Sequence, residues 1–261
     1  MAVKLTILGS GSQGNASYVE TDETRLLIDV GFSGRQIRQR LATLGRVPEN
    51  LTAILITHEH SDHIAGLVAI AEKARIPVYC NRATMEEIQQ AHQRAQLDFR
   101  LFVAGGGFEV GDINVESFSI PHDAQDPVGF VLRTNGSSIG FATDLGHVTK
   151  LVLERIKKTN ALVLESNHDV RLLQECPRRP WSLKQRILSR HGHLSNEAAA
   201  DCVGEIMSGD LRYLYLGHLS RDCNQPELAQ RVMARRLETL HANHVHLHVA
   251  QQNVPCPTLC L

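Results

Sequence analysis

Thr57-His58-Glu59-His60-Ser61-Asp62-His63 puts four metal-ligand side chains into six residues, directly after the apolar run Leu51-Thr52-Ala53-Ile54-Leu55-Ile56. His58 and His60 are two apart, so an extended backbone points both to one side. Asp62 and His63 fall where the chain turns into the helical pattern of residues 64–74. Two side chains can therefore serve one ion and the next two a neighbouring ion. A lone histidine in such a loop reads as a polar accident. The HxHxDH spacing after a buried strand reads as a metal centre.

Such a centre needs a rigid frame. Strand patterns occur at 3–8, 17–20, 25–29, 51–56, 77–80, 108–110, 113–120, 129–133 and 138–142, with helical patterns at 33–44, 64–74 and 82–94. The second half alternates: helix 149–157, strand 161–164, helices within 180–190 and 195–208, strand 212–216, helix 226–241 and strand 245–250. Sheets covered by helices within one domain, residues 1–261, are expected. The last ~10 residues, with Pro255, Pro257, Cys256 and Cys260, read as a flexible tail.

Composition narrows the classes. The chain has 261 residues, 43% apolar, with 27 basic and 28 acidic side chains and a net charge of −1. Disordered, collagenous and coiled-coil classes are excluded. No apolar run is long enough to span a membrane. The opening MAVKLTILGS lacks the basic-then-apolar order of a secretory signal. Six scattered cysteines without a CxxC pair then read as reduced thiols in a cytoplasmic protein. The compositional oddity is histidine, with 14 copies against 4 Tyr and 1 Trp.

Gly9-Ser10-Gly11-Ser12-Gln13-Gly14 matches a dinucleotide-binding fingerprint, with Asp29 about twenty residues on. That fingerprint requires a helix to open at its last glycine. Here residues 15–20 continue as a strand. The segment is better read as a polar glycine loop in which Ser12 and Asn15 face an anion. Residues 176–193 contain Arg178, Arg179, Lys184, Arg186 and Arg190 and no acid, with Trp181 among them. Arg178, Arg179, Lys184 and Trp181 are candidates for holding phosphates and a stacked base. Core packing is the competing reading for Trp181.

The HxHxDH motif and the segments downstream of it resemble the metallo-β-lactamase-fold hydrolases over nearly the whole chain. GSGSQGNASYV, HEHSDHIAGL, IPHDAQDPVGF, ESNHD, PWSLKQRILSRHGHLSN and YLGHLSRDCN together are most similar to the YycJ/WalJ group of bacterial exonucleases with that fold. The resemblance implies an α+β fold, an αββα sandwich with a dinuclear metal site at one edge of the sheets. His58, His60 and His122 would bind the first ion. Asp62, His63 and His218 would bind the second, with Asp144 bridging. Nitrogen and carboxylate ligands without thiolate suit Zn²⁺ by default, with Mn²⁺ or Fe as alternatives.

The implied activity is metal-dependent phosphodiester hydrolysis on DNA, or alternatively RNA, as a 5′-to-3′ exonuclease whose nucleophile is a hydroxide held by the two ions. Asp62, His193 in Gly192-His193-Leu194-Ser195-Asn196 and His168 in Glu165-Ser166-Asn167-His168-Asp169 are the candidate catalytic groups. Either histidine could protonate the leaving oxygen. Two other readings remain open at this level: a small-molecule phosphodiesterase or other ester hydrolase, and a non-catalytic dimetal protein.

Overall fold

The computed structural model describes residues 2–207 and 209–261. Two seven-stranded sheets carry the chain. The first is built from β1 (Lys4–Gly9), β2 (Ala16–Glu20), β3 (Arg25–Ile28), β4 (Ala53–Leu55), β5 (Val78–Cys80) and β6 (Phe99–Leu101) in that order, with β14 (Leu259–Cys260) outside β1. The second contains β7 (Gly107–Val110), β8 (Ile113–Ser119), β9 (Val128–Thr134), β10 (Ser137–Ala142), β11 (Ala161–Glu165), β12 (Tyr213–Gly217) and β13 (His246–Val249), again side by side in chain order. Both sheets are mixed. β3 to β6 run parallel in one, and β10 to β13 in the other.

Alternation along the strands explains the layers. In β12, Tyr215 turns into the core between the sheets, while Leu214 and Leu216 turn outward beneath helices. The inter-sheet core joins Leu5, Ile7, Val19 and Leu55 to Val115, Phe130, Phe141 and Val163. The outer face of the first sheet is covered by α1 (Gly34–Ala42), α3 (Leu67–Ala74) and α4 (Arg82–Ala91) through Ile37, Leu41, Ile70 and Ile88. That of the second is covered by α5 (Lys150–Ile156), α8 (Asn196–Ile206) and α9 (Pro226–Thr239) through Val152, Val203 and Met233. Burial on both faces is why β4 and β11 read as continuous apolar runs rather than alternating ones. The result is the expected αββα sandwich.

Several elements differ from the sequence expectation. The helix expected over 64–74 is two pieces, α2 (Ser61–Ile64) and α3, separated at Ala65 and Gly66. A Cβ on Gly66 would stand 2.2 Å from the Phe32 carbonyl oxygen, so only glycine allows that approach. The short elements outside the expected set include β6, a half-exposed edge strand carrying Arg100, and α6 (Val170–Glu175), capped by the Asp169 side chain on Leu172 N–H. The terminus is not a loose tail. β14 pairs with β1, Cys256 N–H donates to Ile7 O, and Thr258 bonds Thr6. Leu259 is buried and Cys256 and Leu261 pack on the inter-sheet core, which holds the segment down. No helix among the described residues is long and apolar enough to cross a membrane.

Candidate metal centre and active site

The chemistry-bearing residues gather at one edge of the sandwich, where strands of both sheets end. The loop after β4 carries His58, His60, Asp62 and His63. Residues just past β8, β10 and β12 are His122, Asp144 and His218. Asp29, Asp144 and His218 all adopt left-handed backbone conformations, with φ of 61°, 62° and 56°. Such conformations cost non-glycine residues ~1 kcal/mol or more and persist where the surroundings impose them. Here they turn each chain sharply at the strand end, where its side chain joins the cluster.

Four groups of these residues could hold an ion: His58 with His60 and His122; Asp62 with His63 and His218; His58 with His63 and Asp144; and Asp144 with Glu165, His193 and His218. The ring nitrogens show that the donors face inward. His60 Nδ1 lies 3.1 Å from His58 Nε2 and 3.3 Å from His122 Nε2. Three imidazole nitrogens directed at one another cannot all be satisfied by protons, whereas a cation between them satisfies each. Asp144 Oδ2 is buried without a hydrogen-bond partner. The donor set therefore fits divalent metal ions.

Each buried imidazole is held from behind through its other nitrogen. His63 Nδ1–H donates to Asp29 Oδ2 at 2.8 Å, leaving Nε2 3.3 Å from Asp144 Oδ2. His218 Nδ1 faces Glu165 Oε1 at 3.0 Å, and its Nε2 lies 3.2 Å from Asp62 Oδ2. His122 Nδ1–H donates to Gly192 O, and His58 Nδ1 meets Thr57 Oγ1. The metal loop itself is pinned by Asn15 N–H to Asp62 O and Val30 N–H to His63 O. A Cβ on Gly31 would fall 1.6 Å from Asp62 O, so this packing also requires glycine.

The electrostatics favour cations. Burial opposes charge on His63, but Asp144, Asp29 and Asp62 outweigh it and push the imidazole up to about 9. His218 is likewise raised well above its ordinary value against burial, by Asp144, Asp62 and Glu165. His58, fully buried and beside other histidines, is held neutral. The field that would protonate His63 and His218 equally favours a divalent ion, whose binding displaces those protons.

These groups open into a cleft of about 320 Å³, whose wall includes Ser12, Asn167, Arg179, Arg186, His193 and Ser220. His193 Nδ1–H donates to Glu165 Oε1 at 2.7 Å. The chain matches the β-lactamase superfamily domain over residues 24–218. The chain belongs to this family.

It is a metallo-hydrolase of the metallo-β-lactamase fold. It is 40% identical over 239 residues to the exodeoxyribonuclease YycJ of Bacillus anthracis, covering 91% of this chain and 90% of that protein. It is 39% identical over 237 residues to the exodeoxyribonuclease WalJ of Streptococcus pneumoniae, covering 90% and 88%. The metallo-β-lactamase fold protein YhfI of Bacillus subtilis superposes with a TM-score of 0.70 at 16% identity, over 98% of this chain and 99% of that one.

Not every residue singled out in the sequence reaches the cleft of this metallo-hydrolase. Asn15 is buried, accepting from Ser10 Oγ and Gly11 N–H while its amide faces His63, so it supports the metal loop rather than an anion. Lys184 is buried in α7 (Trp181–Ile187), its ammonium donating to Gln174 O at 2.7 Å; helix phase turns it inward, away from substrate. Trp181 is 62% exposed, outside both the core and the cleft lining. Arg178 is exposed and paired with Asp222. His168 is buried with neither ring nitrogen partnered, and burial lowers it to about 4. It stands outside the cleft lining, so the structure does not offer it as a proton donor.

Two supporting carboxylates escape a reading of the sequence. Asp29 shows there only as part of a nucleotide fingerprint, and Glu165 only as part of the ESNHD segment. Glu165 accepts from Leu145 and Leu194 N–H as well as from both histidines. An acid at the end of an otherwise apolar strand is the available signal for each.

Proposed function

We propose that this metallo-hydrolase is a DNA exonuclease working in the 5′-to-3′ direction. The observation that carries the reading is a dimetal-type donor cluster opening into a cleft walled by Arg179 and Arg186. The names of the YycJ and WalJ relatives support it. His58, His60 and His122 would hold one divalent ion and Asp62, His63 and His218 a second, with Asp144 available to both. Zn²⁺ is the default occupant and Mn²⁺ the alternative. Bound there, such ions lower the pKa of water and offset charge on phosphate oxygens.

The chain's own groups do the rest. The Ser12 hydroxyl orients the scissile phosphodiester, and Arg179 and Arg186 supply positive charge along the cleft wall. His193 is the proton donor to the leaving 3′ oxygen. Its Nδ1 is committed to Glu165, which fixes the ring and leaves Nε2 as the transferring atom. The reading further places the enzyme in cytoplasm, where its six free cysteines persist. The test is incubation of purified protein with Mn²⁺ or Zn²⁺, 3′-labelled DNA and bis(p-nitrophenyl) phosphate in parallel. Progressive loss of nucleotides from the 5′ end supports the proposal. Turnover of the small diester alone, or of neither, rejects it.

A further inference from the structure

The two arginines on the cleft wall are already engaged. Arg186 Nε donates to Asp123 Oδ2. Arg179 lies 3.4 Å from Asp222 Oδ2, and Arg178 lies 3.1 Å from Asp222 Oδ1. Arg179 Nε is nevertheless buried with no acceptor. Asp123 follows His122 directly, and its second oxygen stands 3.4 Å from His122 Nε2. The Asp123 carboxylate thus lies between a metal-facing histidine and a guanidinium on the cleft wall.

We infer that Arg179 and Arg186 form a subsite for a second phosphate of the substrate strand, which Asp123 and Asp222 occupy as displaceable stand-ins until the strand arrives. This rests on the nucleic-acid reading above. Arg186 is largely exposed, and α7 is anchored without it by Lys184 on Gln174 and by buried Ile187. The ion pair is therefore not needed to hold the helix. An ion pair with one end as exposed as Arg186 contributes little. A phosphate offers the guanidinium two oxygens and stronger charge-assisted bonds. The carboxylates keep the arginines neutralised while no strand is bound.

The test is fluorescence anisotropy of the full-length protein as isolated, with a labelled single-stranded 12-mer whose phosphorothioate linkages resist cleavage, across a salt series. Arg179→Ala and Arg186→Ala should each weaken binding at least ~5-fold. The double variant should flatten the log–log salt slope by about 0.7, since one phosphate is left without its arginines. Asp123→Asn and Asp222→Asn should tighten binding several-fold, a response that misfolding cannot produce. Arginine variants with wild-type affinity and slope, or aspartate variants that bind more weakly, would overturn the subsite while leaving the exonuclease reading intact. A wild-type protein that neither binds nor shortens DNA would overturn both.

Discussion

The same strands that end at the metal cluster begin at another cleft, at the far edge of the sandwich. That far cleft is the larger, about 680 Å³ against about 320 Å³, and is bounded by Gly111, Asp112, Asn135, Ser137, Lys158 and Asp210. Its left-handed residues, Gly111, Asn135 and Gly136, are ordinary turn-formers in hairpins. At the metal edge the left-handed residues are Asp29, Asp144 and His218. The carboxylates differ as sharply. At the far edge Glu20 is fully committed: Arg46 binds both its oxygens at 2.6 and 2.7 Å, and Tyr18 O–H donates at 2.6 Å. At the metal edge Asp144 keeps a buried oxygen without a partner among inward-facing imidazoles. Volume therefore does not mark the site. Strained strand ends and unsatisfied donors do.

Four expectations test this contrast, from the largest effect down. Asp144→Asn should reduce phosphodiesterase activity at least ~10³-fold and lower the bound metal measured by elemental analysis, since on the proposed reading that carboxylate would serve both ions. Retention of full metal content and activity would show that the two edges do not differ as argued. Glu165→Gln should cost about 10–100-fold in activity or metal affinity, because it orients His218 and His193 from behind. A steady-state assay with metal titration separates these two losses.

Glu20→Gln should leave activity within about threefold of wild type but lower stability by ~2 kcal/mol, discounted for the partly exposed Arg46, a Tm fall of roughly 4–8 °C. Arg46, opposed by burial and helped by the Tyr18 hydroxyl, holds the Glu20 carboxyl down from 4.5 to about 2. A depressed folded-state pKa means the stabilisation is complete above pH 4.5 and is lost as pH falls toward 2. Acid melts of the wild type should show this window, and Glu20→Gln should flatten it. The smallest effect is at the far cleft. Lys158→Ala and Asp210→Ala should stay within ~0.5 kcal/mol and leave turnover unchanged.

The contrast also explains what is legible in the chain alone. His58, His60, Asp62 and His63 are neighbours in the chain, so their shared purpose shows in their spacing. His122, Asp144 and His218 stand far apart and are placed only through family resemblance. The support of His63 by Asp29 is not legible, because it depends on the parallel register that sets Ile28 beside Leu55. Lys184 looks like a member of a basic stretch, and only the packing of α7 on Leu173 and Cys223 reveals that its side of the helix is inward. His168 shares a segment with Glu165 and reads as an acid there. The bridge between His168 and Ser195 that buries it joins segments 27 residues apart. The layered fold is legible because both sheets leave long apolar runs; β14 is not, since two residues carry no period.

Metal removal and add-back test the dependence of DNA shortening on the cluster at the sheet edge. Protein stripped with a chelator should leave 3′-labelled DNA intact, and Mn²⁺ or Zn²⁺ at two equivalents per chain should restore stepwise shortening from the 5′ end. DNA shortening that persists in the stripped protein, or fails to return with metal, would mean that the cluster is not a catalytic metal centre.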